Sequence, residues 1–151
     1  LVLGSSVKWN LSMANMKKIL SMGLISEKRD EKVADEQIQA MQIKTPTKEQ
    51  YVMNLSGGNQ QKIVLGKAIL TKAEILLLED PTRGIDVGAK YEIYLLMNQL
   101  VKEGKSIIMI SSEMPEVLEM SDRVLVVNQG RIKAVLEGAE MNAQTVMKYA
   151  I

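Results

Sequence analysis

The sequence predicts an α/β fold, a mostly parallel sheet with flanking helices, preceded by a helical region. Two observations support this prediction. From Asn54 onward, short apolar runs alternate with stretches of helical periodicity, which is typical of strands joined by crossover helices. Residues 1–50 carry helical patterns only, with little clustering of β-branched residues. The 151 residues are enough for one domain with a real core, or for part of a larger one.

The first 50 residues are expected to form a helical hairpin. We predict one helix over residues 11–25, ending near Gly23, and a second over residues 30–43. Pro46 disfavours the helical conformation in the residue before it, so the chain should leave the helix there. We therefore predict a helical subdomain over residues 1–50 and a core over residues 51–151.

The elements of the core are predicted from the change of hydrophobic period. Helices are expected over residues 59–71, 89–103 (ended by Gly104), 115–121 and 142–149, and strands over residues 75–79, 106–111, 123–128 and 131–136. Two of these strands, 75–79 and 106–111, are apolar without alternation, which predicts burial on both faces. Gln129-Gly130 predicts a hairpin turn between the last two strands.

Composition excludes several classes of protein. The 19 basic and 18 acidic residues leave a net charge of +1, and 3% of residues are aromatic, so nothing indicates nucleic-acid binding. The chain has neither cysteine nor histidine, which excludes disulfides, thiolate metal sites and an imidazole general base and suits a cytosolic protein. No apolar run approaches the roughly 18 residues needed to span a bilayer, so any membrane role is expected to be peripheral.

The stretch Ser56-Gly57-Gly58-Asn59 precedes a predicted helix. Taken alone, a glycine pair before a helix is usually a turn with an N-cap. The functional interpretation is that the glycines let a phosphate approach backbone N–H groups while Ser56 donates its hydroxyl. The helix dipole would then favour the negative charge by roughly 0.3–1 kcal/mol.

Polar residues also follow two of the predicted strands. Glu79 and Asp80 end the strand at 75–79, and Ser112 follows the strand at 106–111. The plain alternatives are solvated loop acids and an N-cap serine. The functional alternative is that one acid holds Mg²⁺ through water, its neighbour polarises an attacking water, and Ser112 senses a γ-phosphate.

Residues 43–130 resemble the second nucleotide-binding half of the ATPase subunit of bacterial simple-sugar ABC importers. The resemblance is carried by LSGGNQQK (55–62), EDPTRGIDVGAK (79–90) and ISSEMPE (110–116). The segment Lys44-Thr45-Pro46 and the later motifs most resemble the galactose/methyl galactoside group, and the ribose group stays open. Residues 1–42 are compatible with the helical subdomain of the family.

The resemblance implies two sets of roles. The first set concerns the signature loop: the γ-phosphate of ATP bound mainly by the other half would contact Ser56, Gly57, Gly58 and Asn59. Asp86 would lie in the D-loop, which couples the two ATP sites. In the other set Glu79 takes the Walker B position that holds Mg²⁺, Asp80 takes the position of the catalytic glutamate, and Ser112 takes that of the switch histidine.

The chain departs from the family pattern in three ways. The phosphate-binding loop Gly-x-x-x-x-Gly-Lys-Ser/Thr is absent, and we expect it upstream of Leu1. The usual Asp-Glu order is reversed as Glu79-Asp80, which changes the reach of each acid by about 1.5 Å, and a misplacement near 1 Å can cost about 100-fold in rate. Ser112 cannot shuttle a proton as an imidazole does. These departures weaken the ATP site of this half and leave its signature loop intact.

The expected function follows from the resemblance. The full-length protein would be an ATPase that uses ATP and Mg²⁺ to drive sugar uptake, at the cytoplasmic face of the bacterial membrane. Its partners would be the N-terminal nucleotide-binding half or a second copy, the membrane permease and, indirectly, a periplasmic sugar-binding protein. The alternative is a nucleotide-dependent dimerisation module of a soluble ABC protein without a transport role. A nucleic-acid-handling ABC protein is disfavoured by the neutral charge. We expect residues 1–151 alone neither to bind ATP tightly nor to hydrolyse it.

Overall fold

Seven α-helices and six short strands follow one another along the chain, and the computed structural model describes all residues, Leu1–Ile151. The helices are α1 (Val7–Ser12), α2 (Met16–Ile19), α3 (Glu27–Ala40), α4 (Gly57–Leu70), α5 (Val87–Lys102), α6 (Met114–Met120) and α7 (Ala143–Ala150). The strands are β1 (Leu20–Ser21), β2 (Leu24–Ile25), β3 (Ile75–Glu79), β4 (Ser106–Ile110), β5 (Arg123–Asn128) and β6 (Arg131–Glu137). One unit comprises residues 1–77 and 81–108, and a second comprises residues 78–80 and 109–151.

The prediction of a single helix over residues 11–25 is wrong. A short 3₁₀ segment separates α1 from α2, and an antiparallel hairpin of β1 and β2 follows. Asn15 leaves the helical region (φ −143°, ψ 59°), and its side chain donates to the Leu70 carbonyl at 2.7 Å. Met22 and Gly23 both have positive φ, so Gly23 turns the hairpin instead of ending a helix.

The second predicted helix is confirmed as α3, with both ends three residues earlier than expected. Val33 and Ala34 are buried on the face of α3 that packs in the first unit. The chain leaves α3 through Gln42, whose backbone is left-handed (φ 49°). This turn directs the following segment toward the start of α4.

Helices α4 and α5 form the part of the first unit that positions the site. Both match the predicted helices within two residues at each end. Along α5 the buried residues recur at helical spacing: Ile93, Leu96, Met97 and Leu100. Gly104 (φ 88°) ends α5 as predicted: its N–H donates to Val101, and the N–H of Lys105 donates to Leu100, which satisfies the last carbonyls of the helix.

Strands β3 and β4 are paired. At their starts Ser106 N–H donates to the Glu74 carbonyl, and at their ends Asp80 N–H donates to the Ile110 carbonyl, so the two strands run parallel. The prediction that both strands are buried on both faces is wrong. Leu76 and Leu78 are buried, whereas Leu77 is 75% exposed and Ile110 is 65% exposed. The apolar runs have the composition of doubly covered strands, but the elements present cover only one face.

The second unit is built on the antiparallel hairpin of β5 and β6. Its predicted turn is confirmed, since Gln129 and Gly130 both have positive φ. The buried face of the hairpin packs with α7 in a small core made of Val124, Val126, Leu136 and Val146. Helix α6 matches the prediction to within one residue, and α7 begins after its predicted start, where Asn142 caps it by accepting from the Thr145 N–H. No helix of the structure combines the length and the apolar character that crossing a membrane requires.

Candidate functional site: a signature loop and an acid pair

The predicted signature loop lies at the start of α4. Ser56 is the N-cap residue by backbone conformation (φ −62°, ψ 153°), but its side chain does not cap the helix. Its Oγ instead accepts from Asn59 Nδ2 at 2.9 Å. Ser56 and Gly57 are exposed and Asn59 is half-buried. The first N–H groups of α4, with the Ser56 hydroxyl beside them, form the arrangement that binds phosphates at helix N-termini.

The two glycines of the loop have a packing role that the sequence analysis missed. A Cβ on Gly58 would lie 2.6 Å from the Cβ of Ala89, so α4 and α5 approach each other too closely for any side chain there. A Cβ on Gly57 would lie 3.1 Å from a methyl group of Ile85. The loop therefore rests directly on the segment that leads into α5.

Asp86, the predicted D-loop residue, caps α5. Its Oδ1 accepts from the N–H of Ala89 at 2.9 Å, and Ala89 is the residue of α5 that faces Gly58 of α4. An open cleft of about 350 Å³ lies between this segment and α4; it is lined by Leu1, Gly57, Gln60, Gln61, Val64, Arg83, Gly84 and Ile85. The first unit thus places the signature loop and the residues around Asp86 side by side.

An ion pair made by a buried lysine near the loop was not found from the sequence. The side chain of Lys62 is 2% exposed, and its Nζ lies 2.8 Å from Glu92 Oε2 and 2.9 Å from the Gln42 carbonyl oxygen. Lys44 Nζ lies 3.2 Å from the other carboxylate oxygen of Glu92. The hydrogen bond from Lys62, then that from Lys44, lowers the pKa of the Glu92 carboxyl below its ordinary value of 4.5. The sequence did carry a sign of this pair: Lys62 is four residues after Gly58 and four before Gly66, on the buried side of α4.

The acid pair, defined as Glu79 and Asp80, lies in the second unit. Asp80 has a left-handed backbone (φ 43°), and its Oδ1 accepts from both the N–H of Ser112 at 2.8 Å and the Oγ of Ser112 at 3.0 Å. The structure therefore brings together the two residues that the sequence analysis placed at the catalytic and switch positions. It also shows that one oxygen of this carboxylate is already engaged by protein donors.

Glu79 differs from its neighbour, because it ends β3 with an exposed side chain. No group of three acidic side chains that could form a complete metal site occurs in the chain. Mg²⁺ is usually held by one or two carboxylates together with nucleotide phosphates and water, so a single exposed carboxylate fits that mode of binding. In the predicted role, Glu79 would hold the ion, and the positive charge of the ion would offset the negative charge of the phosphates.

Comparisons with known proteins find relatives over nearly the whole chain. A family model described as ABC transporter matches residues 4–83. The ribose import ATP-binding protein RbsA of Clostridium perfringens is 48% identical over 151 residues, and a ribose/galactose/methyl galactoside import ATP-binding protein of Rhizobium etli is 51% identical over 150 residues. Both alignments cover 99% of this chain, which spans 30% and 29% of the respective relatives.

Solved structures give the same fold at low sequence identity. A metal-chelate type ABC transporter in an inward-facing conformation aligns with a TM-score of 0.80 at 18% identity, covering 97% of this chain and 58% of that chain. A nucleotide-free ATP-binding cassette from an ABC transporter aligns with a TM-score of 0.77 at 20% identity, covering 97% of this chain and 60% of that chain. The predicted α/β ABC-type fold is confirmed.

This chain belongs to the ABC transporter family and forms part of an ATP-binding cassette. Its first unit holds Ser56, Gly57, Gly58, Asn59 and Asp86, and its second unit holds Glu79, Asp80 and Ser112. The nucleotide-binding and catalytic roles of these residues stay predictions.

Proposed function

We propose that this chain is part of the second nucleotide-binding half of the ATP-binding subunit of a bacterial sugar ABC importer. The observation that carries the proposal is a contrast: Ser56 and Gly57 at the start of α4 are exposed, whereas one oxygen of Asp80 is engaged by Ser112. A half that offers its signature loop and holds its own catalytic-position acid is suited to completing a partner's ATP site.

The chemistry of the signature loop is electrostatic. ATP and its Mg²⁺ would be held mainly by the phosphate-binding loop of the other half. The Ser56 hydroxyl and the α4 N–H groups would then contact the γ-phosphate, where the helix dipole favours negative charge. Because these donors are already oriented in the folded chain, closing the two halves together would require little reorganisation of the loop.

The proposed cargo is supported by the names of two relatives, which specify ribose, galactose and methyl galactoside import. We propose galactose/methyl galactoside or ribose as the cargo, a membrane permease as the partner and the cytoplasmic face of the membrane as the location. Residues 1–50 would belong to the helical subdomain, and residues 51–151 would be the part of the core that follows the phosphate-binding loop. Without that loop, the isolated chain would not hydrolyse ATP.

The test compares a variant of the signature loop with a variant of the acid pair in the full-length transporter. Ser56→Arg puts a guanidinium where the γ-phosphate would approach, and we expect sugar uptake into vesicles to fall by about 100-fold or more, as for a displaced reacting group. Asp80→Asn should cost less than about tenfold, because the acid it alters would belong to the weaker site. Asn98→Arg, at another exposed position of the first unit, controls for the added charge.

Equal losses from Ser56→Arg and Asp80→Asn, or a larger loss from the second, would contradict the proposal. Purification of the full-length protein without any permease partner would instead favour a soluble, non-transport ABC protein.

A further inference from the structure

Lys62, Glu92, Lys44 and Asn59 form a closed ring of contacts inside the first unit, here called the Lys62 ring. Lys62 binds Glu92, Glu92 binds Lys44, and the backbone N–H of Lys44 donates to Asn59 Oδ1 at 2.7 Å. Asn59 lies three residues before Lys62 on α4, so the ring closes through the helix itself. Asn59 Nδ2 also donates to Ser56 Oγ, which attaches the signature hydroxyl to the ring.

Packing alone does not account for this arrangement. Helices α4 and α5 already touch at Gly58 and Ala89. The pair joins a buried lysine to a glutamate whose side chain is 38% exposed, and apolar side chains of similar volume often stabilise a buried position as well as a charged pair does. Unlike an apolar side chain, the Lys62 ammonium group makes directional contacts, because its N–H donors must point at the Gln42 carbonyl and at the Glu92 carboxylate. The ring therefore fixes the orientation of the first turns of α4 and α5 relative to residues 42–44.

We infer that Lys62 is a positioning residue for the signature loop, acting through Glu92, Lys44 and Asn59 to hold Ser56 and the α4 N–H groups in the geometry that receives a γ-phosphate. Lys62 itself is buried and does not touch the nucleotide. The inference rests on the proposed function, because it assumes that the loop completes an ATP site. It adds the residues that set the geometry of that loop.

The experiment measures KM for ATP and the inhibition constant of ADP in the full-length transporter. ADP has no γ-phosphate, so a displaced signature loop weakens the use of ATP and leaves ADP binding unchanged. For Lys62→Met we expect KM for ATP to rise about tenfold, which is the change in affinity that losing one charge-assisted hydrogen bond causes. The inhibition constant of ADP should stay within about twofold of the wild-type value. Lys62→Arg keeps the cation and should restore most of the ATP affinity.

Two further variants keep the test decisive. Glu92→Gln removes the charge from a partly exposed side chain and should raise KM for ATP by about threefold even if Lys62→Met folds poorly. Glu49→Gln is the matched control, because it breaks the 2.6 Å Lys8–Glu49 pair in the same unit, outside the ring, and should change neither constant.

The outcomes separate the two hypotheses. Unchanged KM in both ring variants, or an equal rise in KM for ATP and in the ADP constant, overturns the positioning role. Ser56→Arg is measured in the same assay: if it too leaves KM and kcat for ATP unchanged, the proposed function fails as well. A loss with Ser56→Arg but not with the ring variants overturns the inference alone.

Discussion

The signature loop and the acid pair use their polar groups in opposite ways. In the first unit, Ser56 is exposed, and its hydroxyl accepts a single side-chain hydrogen bond from Asn59. In the second unit, Asp80 is partly buried, and one of its oxygens accepts two hydrogen bonds from Ser112. The difference shows that motif residues of one cassette can have distinct uses: Ser56 is exposed and can meet a ligand, whereas one oxygen of Asp80 is held by Ser112, 32 residues further along the chain.

The largest effect on stability that this comparison predicts is at Gly58. Gly58→Ala places a Cβ 2.6 Å from the Cβ of Ala89, an atom fixed to the α5 backbone, so the two helices must separate. We expect the free energy of unfolding to fall by about 1–3 kcal/mol, as for an overpacked core, despite the better helix propensity of alanine. Urea unfolding of the 151-residue chain measures the change.

Gly57→Ala is the matched control, since its added Cβ meets a side-chain methyl of Ile85 that can rotate away. We expect a change within about 0.5 kcal/mol, typical of a tolerated substitution near the surface. If both glycine variants lose the same stability, the close approach of α4 and α5 is not what requires glycine at position 58.

An effect within the same range is expected at Asp80, which tests the acid of the second unit. Asp80→Ala removes the acceptor of two hydrogen bonds and leaves a left-handed backbone without a residue that tolerates it, so we expect a loss of about 2 kcal/mol. Asp80→Asn keeps an oxygen acceptor and adopts the left-handed region readily, so its cost should stay below about 0.5 kcal/mol.

Asp80→Gly separates the two causes by thermal unfolding. Glycine has no strain at φ 43° but offers no acceptor, so an intermediate loss of about 1 kcal/mol is expected. If Asp80→Asn were as harmful as Asp80→Ala, the negative charge, and not the bond to Ser112, would be the feature that matters.

The order of elements after residue 54 was readable from the sequence because helical and strand periods alternate there without ambiguity. The region of residues 11–25 was not, because a long-range bond decides its structure: Asn15 leaves the helix and donates to Leu70, 55 residues away. The exposed face of β3 was also unpredictable, since an apolar strand reads the same whether one or both of its faces are covered.

The positions of the site residues were predictable from their motifs, but their couplings were not. The bonds between Asp80 and Ser112 join residues 32 apart, and the pairing of Lys62 joins it to Gln42 and Glu92, 20 residues before and 30 after it in the sequence. No local pattern encodes such partners. The only sequence sign was a lysine on the buried stripe of α4, which predicts a partner without naming it.

The smallest expected effect is the pH dependence of the Lys62 ring. Hydrogen bonds from Lys62 and Lys44 lower the pKa of Glu92, so its stabilising contribution is fully present above its ordinary value of 4.5 and is lost as the pH falls through the lowered value. Glu92→Gln should therefore be less stable than wild type at neutral pH, and the two should converge below pH 4.5. The Lys8 pair has the opposite sign on the alkaline side: the hydrogen bond to Glu49 raises the pKa of Lys8, so that contribution is lost as the pH rises beyond 10.5. Urea unfolding midpoints of wild type and Glu92→Gln, measured from neutral to acid pH, test the expected convergence. A gap between Glu92→Gln and wild type that persists at strongly acid pH would show that the carboxylate charge of Glu92 is not what holds Lys62.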